Sequence, residues 1–143
     1  MRRRVLHGWS ELEKYFFMNE SELEKLYEFE KLYWWHVGRR DIIRTLLKSV
    51  LTGKKNNILE VGCGTGGNIE TLRDFGKVFG LDSSGRALDF CKEKGFEGLF
   101  LGQAEGTDLP ANSFDLVAAF DVLEHIDEEE FAIEESFRIL KPG

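Results

Sequence analysis

Hydrophobic and polar residues follow two different periodicities along the chain, and each change of period marks a predicted element. Residues 58–61 form a largely apolar run with β-branched side chains, which is typical of a strand buried on both faces. Four glycines fall within residues 62–67. Beyond them, apolar residues recur with the spacing of a buried helical stripe at Ile69, Leu72 and Phe75. The pattern therefore predicts a strand, a tight glycine turn and a helix.

Similar patterns continue towards the end of the chain. Three further strands are predicted, over residues 77–81, 97–103 and 114–120. A helix after the first of them begins at Ser83 or Ser84 and ends at the glycine C-cap Gly95. Its inward positions are Ala87, Leu88 and Cys91. Asp127 caps a last helix, whose predicted buried face consists of Phe131, Ile133, Phe137 and Leu140.

The N-terminal third of the chain is predicted to be helical. Two capping boxes of the form S-x-x-E begin at Ser10 and Ser21 and predict helices there. Another helix is predicted from about Arg39 to near Gly53, with an apolar stripe of Ile42, Ile43, Leu46, Leu47 and Val50. We interpret residues 1–55 as a helical segment that caps the same domain, and residues 56–143 as its ligand-binding part.

The glycine turn and the end of the next strand carry the candidate chemistry. A turn this tight needs positive φ, and a backbone without Cβ lets a ligand come into contact. Gly62, Gly64 and Gly67 satisfy the G-x-G-x-x-G spacing, whereas Gly66 in place of Gly67 satisfies the tighter G-x-G-x-G. Asp82 ends the neighbouring strand, where a carboxylate can accept both hydroxyls of a ribose. The pattern predicts a ligand that contains a nucleoside, but it does not identify that ligand.

The segment EVGCGTG, residues 60–66, resembles motif I of the class I S-adenosylmethionine-dependent methyltransferases. An acid two places before the first glycine belongs to that motif and is rare in nicotinamide enzymes. The resemblance extends over about residues 30–143. It implies an α/β fold, a Rossmann-like three-layer sandwich with a mostly parallel sheet of strand order 3-2-1-4, preceded by N-terminal helices.

The resemblance also implies S-adenosyl-L-methionine as the cofactor and assigns residues to its parts. Glu60 is expected at the methionine amino end and Asp82 at the ribose. The other residues expected around the cofactor are Gly62, Cys63, Gly64, Gly66, Ser83, Ala104 and Phe120; a small buried side chain is the alternative for the cysteine. Gln103 stands where the family has aspartate. Its amide would accept from the adenine amino group and donate to the ring without charge assistance.

Two further segments resemble the same family. Residues 121–126, DVLEHI, are similar to the "LEH" segment of methyltransferases related to ubiquinone-biosynthesis enzymes. His125 is therefore a candidate to take a proton from the methyl acceptor, since imidazole titrates near neutral pH. Its alternative role is to orient the loop through a neighbouring carboxylate. Trp34 and Arg39 lie in a segment similar to the family's lid helix, so they either contact the cofactor or belong to the core.

The composition of the chain limits the kinds of partner that it is expected to bind. The 143-residue chain has a net charge of -7, and residues 56–143 contain 18 acidic and 7 basic residues, which disfavours nucleic acid because its phosphates would be repelled. No apolar run has the length of an export signal core or a membrane span, so we predict a cytoplasmic protein without a membrane partner. Cys63 and Cys91 lack metal-ligand spacing, which predicts no metal site.

The resemblance implies a fold of seven strands, of which this sequence supplies four. We therefore expect a fragment or a shortened form, with an open edge on the fourth strand that a homodimer or strand exchange covers. The predicted function is methyl transfer from S-adenosyl-L-methionine to a small-molecule acceptor. Two alternatives stay open. One is an NAD-linked oxidoreductase, which the glycines and Asp82 also fit, and the other is a truncated, non-catalytic module that binds the cofactor or another protein.

Overall fold

Four parallel strands form the central sheet of the protein. The computed structural model describes residues 34–51, 53 and 55–143, together with Ser21, Glu24, Lys25 and Tyr27. The strands are β1 (Asn56–Val61), β2 (Gly76–Asp82), β3 (Leu99–Leu101) and β4 (Leu116–Ala119). Their spatial order is β3-β2-β1-β4, and all three neighbouring pairs are parallel. The predicted strand order is confirmed.

Helices cover both faces of this sheet. They are α1 (Trp34–Val50), α2 (Ile69–Leu72), α3 (Gly85–Glu93) and α4 (Glu129–Ile139), with a 3-10 turn at Leu123–His125. Side chains of neighbouring residues on β1 enter opposite faces, because successive Cβ atoms of a strand alternate. Ile58 packs in the core under α1, α2 and α3, whereas Leu59 packs in the core that includes Ile139 of α4. The result is the predicted three-layer sandwich.

The order of the strands positions the candidate site. Parallel strands bring their carboxyl ends to one edge of the sheet, and β1 has β2 on one side and β4 on the other. The chain therefore leaves β1 for β2 in one direction and reaches β4 in the other, which opens a crevice beyond the end of β1. The glycine turn that follows Val61 lies at this switch point.

The first long helix differs from its prediction at the start. The predicted beginning near Arg39 is wrong, because α1 begins at Trp34. Gly38 is accommodated inside the helix, because a Cβ there would have no atom of the described chain within 4 Å apart from its chain neighbours and the backbone of the same helix. The buried stripe is also narrower than predicted, since only Ile43 and Leu47 are buried.

The predicted buried face of the last helix is wrong. Ala132 and Ile139 are the buried positions of α4, whereas Phe131, Ile133 and Phe137 are exposed. The backbone carbonyl of Ile139 accepts from the amides of residues 113 and 114, at 2.8 and 3.1 Å, and this contact fixes which side of the helix meets the sheet. The N-cap position is Glu128 rather than the predicted Asp127, and Glu128 makes no side-chain capping bond.

The remaining predicted elements have mixed outcomes. Ser84 caps α3 by accepting from the amide of Ala87, and Gly95 follows the helix with the positive φ of a C-cap residue, 75°. The helix predicted near residue 10 lies outside the described residues, as do the bounds of the one near residue 21, where Ser21, Glu24, Lys25 and Tyr27 have helical backbone. No helix in the described part of the chain is long and apolar enough to cross a membrane. The division at residue 55 stays a prediction, although Ile43 and Leu47 share one core with the sheet.

Candidate functional site

The glycine turn after β1 is held against the end of β2. The amides of Gly62 and Cys63 both donate to the carbonyl of Leu81, at 2.7 and 3.1 Å. Gly62, Gly64 and Gly66 have φ values of 65°, 52° and 85°, which favour glycine because an L side chain clashes with its own backbone there. The predicted need for positive φ in this turn is confirmed.

The three glycines face different surroundings. A Cβ on Gly62 would overlap Val122, and one on Gly66 would lie 2.7 Å from the ring of Phe96. No atom of the described chain lies within 4 Å of the position of a Cβ on Gly64. Gly62 and Gly66 are therefore required by packing as well as by their backbone angles. At Gly64 the missing side chain leaves space into which a ligand can come.

Asp82 at the end of β2 reaches back to this turn. Its Oδ2 accepts from the amide of Gly64 at 2.8 Å, and its Oδ1 accepts from the amide of Ser84 at 2.8 Å. One carboxylate thus connects the glycine turn, the end of β2 and the start of α3. Each carboxylate oxygen can accept more than one hydrogen bond, so both retain capacity for ligand hydroxyls.

Glu60 has a more interior position than the turn. Its side chain is 1% exposed, and its Oε1 accepts from the side-chain amide of Asn68 at 2.9 Å. Asn68 immediately precedes α2, so this bond ties the middle of the sheet to the helix that follows the turn. Glu60 therefore lies behind the turn and does not line the cleft described below.

An open cleft lies between the ends of β1 and β2 and the segments that follow β3 and β4. Its enclosed part has a volume of about 80 Å³. The lining residues are Val61, Gly62, Leu81, Asp82, Ser83, Gly102, Gln103, Ala104, Glu105, Val122 and Ile126. Five residues predicted from the sequence meet in this cleft: Gly62, Asp82, Ser83, Gln103 and Ala104.

Sequence reasoning missed five side chains of the cleft, of which Val61 and Leu81 belong to predicted strands and the other three do not. Val122 and Ile126 are apolar residues of the segment after β4, and Glu105 directly follows the predicted pair at 103 and 104. The "LEH" resemblance had drawn attention to the polar residues of its segment only. An apolar pair flanking that motif is the signal that could have found the first two, because a purine ring needs apolar walls.

The structure leaves the other predicted residues out of this lining, namely Glu60, Cys63, Gly64, Gly66, Phe120, Trp34, Arg39 and His125. Cys63 is buried in the core under α1, α2 and α3, and Phe120 packs against the same core. Gly66 lines a separate cavity of about 590 Å³ between α1, α2 and α3. His125 is exposed on the 3-10 turn, and Trp34 is 76% exposed. The predicted cofactor contacts of these residues, and the predicted proton-accepting role of His125, stay predictions.

Arg39 connects the first helix to the tip of β4. One of its guanidinium nitrogens, Nη1, forms an ion pair with Oδ2 of Asp121, which is 82 positions later in the chain. Asp121 has a φ of 55°, an angle that aspartate tolerates better than most residues. The pair holds α1 against the segment that follows β4.

The two cysteines are buried behind the glycine turn. Cys91 donates from its thiol to the carbonyl of Gly64 at 3.3 Å. A hydrogen bond with Cys91 and burial both raise the pKa of the Cys63 thiol far above its ordinary value. Both cysteines are free, and no group of three or more metal-ligating side chains occurs among the described residues.

The parallel sheet, the glycine turn at its switch point and the carboxylate on the adjacent strand form a Rossmann-like ligand site, which methyltransferases that use S-adenosylmethionine share with nicotinamide enzymes. A sequence profile described as a methyltransferase domain matches residues 59–143, and the chain belongs to this family. The predicted family is thereby confirmed.

Individual relatives agree with this assignment. The chain is 31% identical over 131 residues to the ubiquinone biosynthesis O-methyltransferase of Hahella chejuensis, covering 87% of this chain and 51% of that protein. It is 30% identical to the demethylmenaquinone methyltransferase of Staphylococcus carnosus, covering 87% and 52%. A SAM-dependent methyltransferase structure from Aquifex aeolicus has the same fold, with a TM-score of 0.70, 21% identity and coverage of 88% and 69%. The chain spans about half the length of the curated relatives it matches.

Proposed function

We propose that this chain binds S-adenosyl-L-methionine in the cleft beyond β1 and serves the transfer of its methyl group to a small-molecule acceptor. The observation that carries the proposal is the contact between Asp82 and the amide of Gly64, next to the open space above that glycine. A nucleoside entering this space would meet the Asp82 carboxylate beside a stretch of backbone that carries no side chain. The relatives named for ubiquinone biosynthesis and for demethylmenaquinone support an acceptor of low molecular weight.

The residues of the cleft fit this cofactor. Asp82 would accept from the two ribose hydroxyls, and Val122 and Ile126 offer apolar contact to the base. When it is bound, S-adenosyl-L-methionine supplies a methyl carbon that its sulfonium sulfur already activates. The protein's own residues therefore have to bind and align the two substrates, from which several kcal/mol of barrier lowering can come.

The acceptor must lose a proton when its oxygen or nitrogen is methylated. His125, in the short turn after β4, is our candidate for the group that takes this proton. Support comes from its exposed position on the same carboxyl-terminal edge of the sheet as the cleft. A His125→Ala variant that retains the wild-type rate and pH dependence of methyl transfer would instead favour an orienting role.

We also propose a cytoplasmic location, on the grounds given by the sequence.

The direct test is calorimetric titration of the 143-residue chain with S-adenosylhomocysteine and, separately, with NADH. We expect saturable binding of the first and none of the second. Binding of NADH alone would make the chain a nicotinamide-dependent protein and overturn the proposal. A radiolabelled methyl-transfer assay with phenolic and amine acceptors then separates an active enzyme from a module that only binds the cofactor.

A further inference from the structure

The cavity between α1, α2 and α3 lies on the other side of the glycine turn from the cleft. Its volume is about 590 Å³. Gly66 and Gly67 form part of its wall, whereas Gly62 of the same turn lines the cleft. No residue lines both spaces, so a ligand in one does not occupy the other. The volume of the cavity is within the range of small-molecule sites, roughly 300 to 1,000 Å³.

Positively charged side chains predominate in the lining of this cavity. The charged residues of the lining are Arg40, Arg44, Arg73 and Lys94, together with the acidic Glu70 and Glu93. The whole chain, by contrast, has a net charge of -7. The lining therefore has the opposite sign of charge to the chain as a whole, which favours an anionic ligand at this place.

Two arginines of the lining have hydrogen-bond donors to offer such a ligand. The guanidinium of Arg73 lies over the ring of Phe96, 5.1 Å from its centroid, and has no carboxylate partner among the described residues. Stacking uses the face of a guanidinium and leaves the donors on its edge. Nε and Nη1 of Arg44 donate to Asp74 and Asp41, at 3.2 and 3.4 Å. These bonds fix the side chain of Arg44 and leave its Nη2 without a partner in the described part of the chain.

We propose that this cavity is a second ligand site, which binds a small molecule through a diphosphate group. A guanidinium donates two parallel hydrogen bonds to phosphate oxygens, which makes arginine suited to this group. Arg40 and Arg44 are neighbours on one face of α1, because residues four apart adjoin on a helix, and Arg73 follows α2. Several arginines from two helices fit a group with more than one phosphate better than a single carboxylate. The rings of Tyr27 and Phe96 line the same cavity and can contact the organic part of the ligand. This inference goes beyond the proposed function and does not depend on it.

The test is calorimetric titration of three proteins with inorganic pyrophosphate in metal-free buffer: wild type, Arg73→Gln and Arg86→Gln. Arg86 is the matched control, because its guanidinium also lies over a ring, 4.4 Å from the centroid of Phe90, but outside the lining of the cavity. We expect wild type to bind pyrophosphate at one saturable site. Arg73→Gln should weaken this binding by about tenfold or more, since charge-assisted hydrogen bonds are lost. Arg86→Gln should change it by less than about twofold. Circular dichroism during thermal unfolding checks that each variant is folded.

A titration with uridine diphosphate distinguishes the two possible sources of the diphosphate group. Tighter binding than that of pyrophosphate would support an organic ligand that contacts the aromatic rings, and equal binding would support recognition of the diphosphate alone.

A further titration separates this cavity from the cleft. Saturating S-adenosylhomocysteine should leave the affinity for pyrophosphate unchanged, because the two spaces share no lining residue. Competition between the two ligands would place the anion in the cleft and overturn the proposal. The proposal is also wrong if wild type does not bind pyrophosphate, or if Arg73→Gln loses no more affinity than Arg86→Gln. Binding of pyrophosphate without binding of S-adenosylhomocysteine would remove the proposed function and leave the second site in place.

Discussion

Oδ2 of Asp82 accepts a hydrogen bond of 2.8 Å from the backbone amide of Gly64, across the gap between two adjacent parallel strands. The two residues are 18 positions apart in the chain, and the sequence predicts only that each stands at the end of a strand. Their contact brings the glycine turn and the end of β2 together into one site. It also gives Asp82 two positions in the site, since the same carboxylate holds the turn and lines the cleft.

Removal of the Asp82 carboxylate should therefore weaken ligand binding more than it weakens the fold. We expect Asp82→Ala to reduce affinity for S-adenosylhomocysteine by roughly 10- to 150-fold, because hydrogen bonds to a charged group contribute about 1.5 to 3 kcal/mol. Calorimetric titration measures the loss. Asp89→Asn is the control, since Asp89 lies on α3 outside the cleft and pairs with Lys92. Equal affinities for the two variants would contradict the assignment of Asp82.

Alanine substitutions in the glycine turn should separate packing from ligand access. All three glycines have positive φ, so each substitution carries a strain of about 1 to 2 kcal/mol. Gly62→Ala should cost about 1 to 3 kcal/mol more, because its Cβ overlaps Val122. Gly64→Ala adds no such overlap with the described chain, yet should reduce S-adenosylhomocysteine affinity about tenfold or more by filling the ligand space. Urea unfolding and calorimetry check the two effects, and a Gly64→Ala protein with wild-type affinity would refute the second.

Glu135 of α4 should make stability depend on pH in the acid range. Its hydrogen bonds with Arg138, and then with Thr107, lower the pKa of Glu135 to about 2 from an ordinary value of 4.5. A lowered carboxyl pKa stabilises the fold fully above the unfolded pKa, and this contribution is lost as pH falls from about 4.5 to about 2.

We expect Glu135→Gln to lower the free energy of unfolding by about 2 kcal/mol at neutral pH, after allowance for the solvent exposure of Arg138. The difference from wild type should disappear as the pH approaches 2. Urea titrations at several pH values measure it, with the exposed neighbour Glu134→Gln as control. A difference independent of pH would show that the charge of Glu135 is not the cause.

The two thiols should be unreactive in the folded protein. Cys63 and Cys91 are 4% and 0% exposed, and the hydrogen bond with Cys91 together with burial raises the pKa of the Cys63 thiol. Because the thiolate is the reactive form, an aromatic disulfide reagent at pH 8 should titrate neither cysteine until denaturant is added. Rapid reaction of either thiol in the native protein would contradict the described packing.

The corrected burial of α4 can be tested with a pair of substitutions. Ile139 is 1% exposed, so Ile139→Ala should cost about 2 to 5 kcal/mol through lost burial and a cavity. Phe137 is 73% exposed, so Phe137→Ala should change stability by less than about 0.5 kcal/mol. Urea unfolding of the 143-residue chain measures both. Similar costs for the two would restore the burial pattern predicted from the sequence.

Most of the sheet and the centre of the site follow from local sequence. The apolar run before Gly62 is long enough for a buried strand, and the glycines at 62, 64 and 66 are required by backbone angles that other residues adopt at a cost. Asp82 ends its strand as the spacing predicts. Such features depend on residues next to one another in the chain, so periodicity and turn chemistry are enough to find them.

Only the tertiary structure decided which surfaces these elements bury and which distant side chains meet. The face of α4 depends on how the carbonyl of Ile139 docks on residues 113 and 114, and the Arg39–Asp121 pair depends on α1 crossing the tip of β4. The burial of Glu105 within the cleft likewise depends on the position of its turn against β2. The local sequence determines which backbone conformation a segment prefers. Which face of that segment is buried depends on its packing against residues far away in the chain.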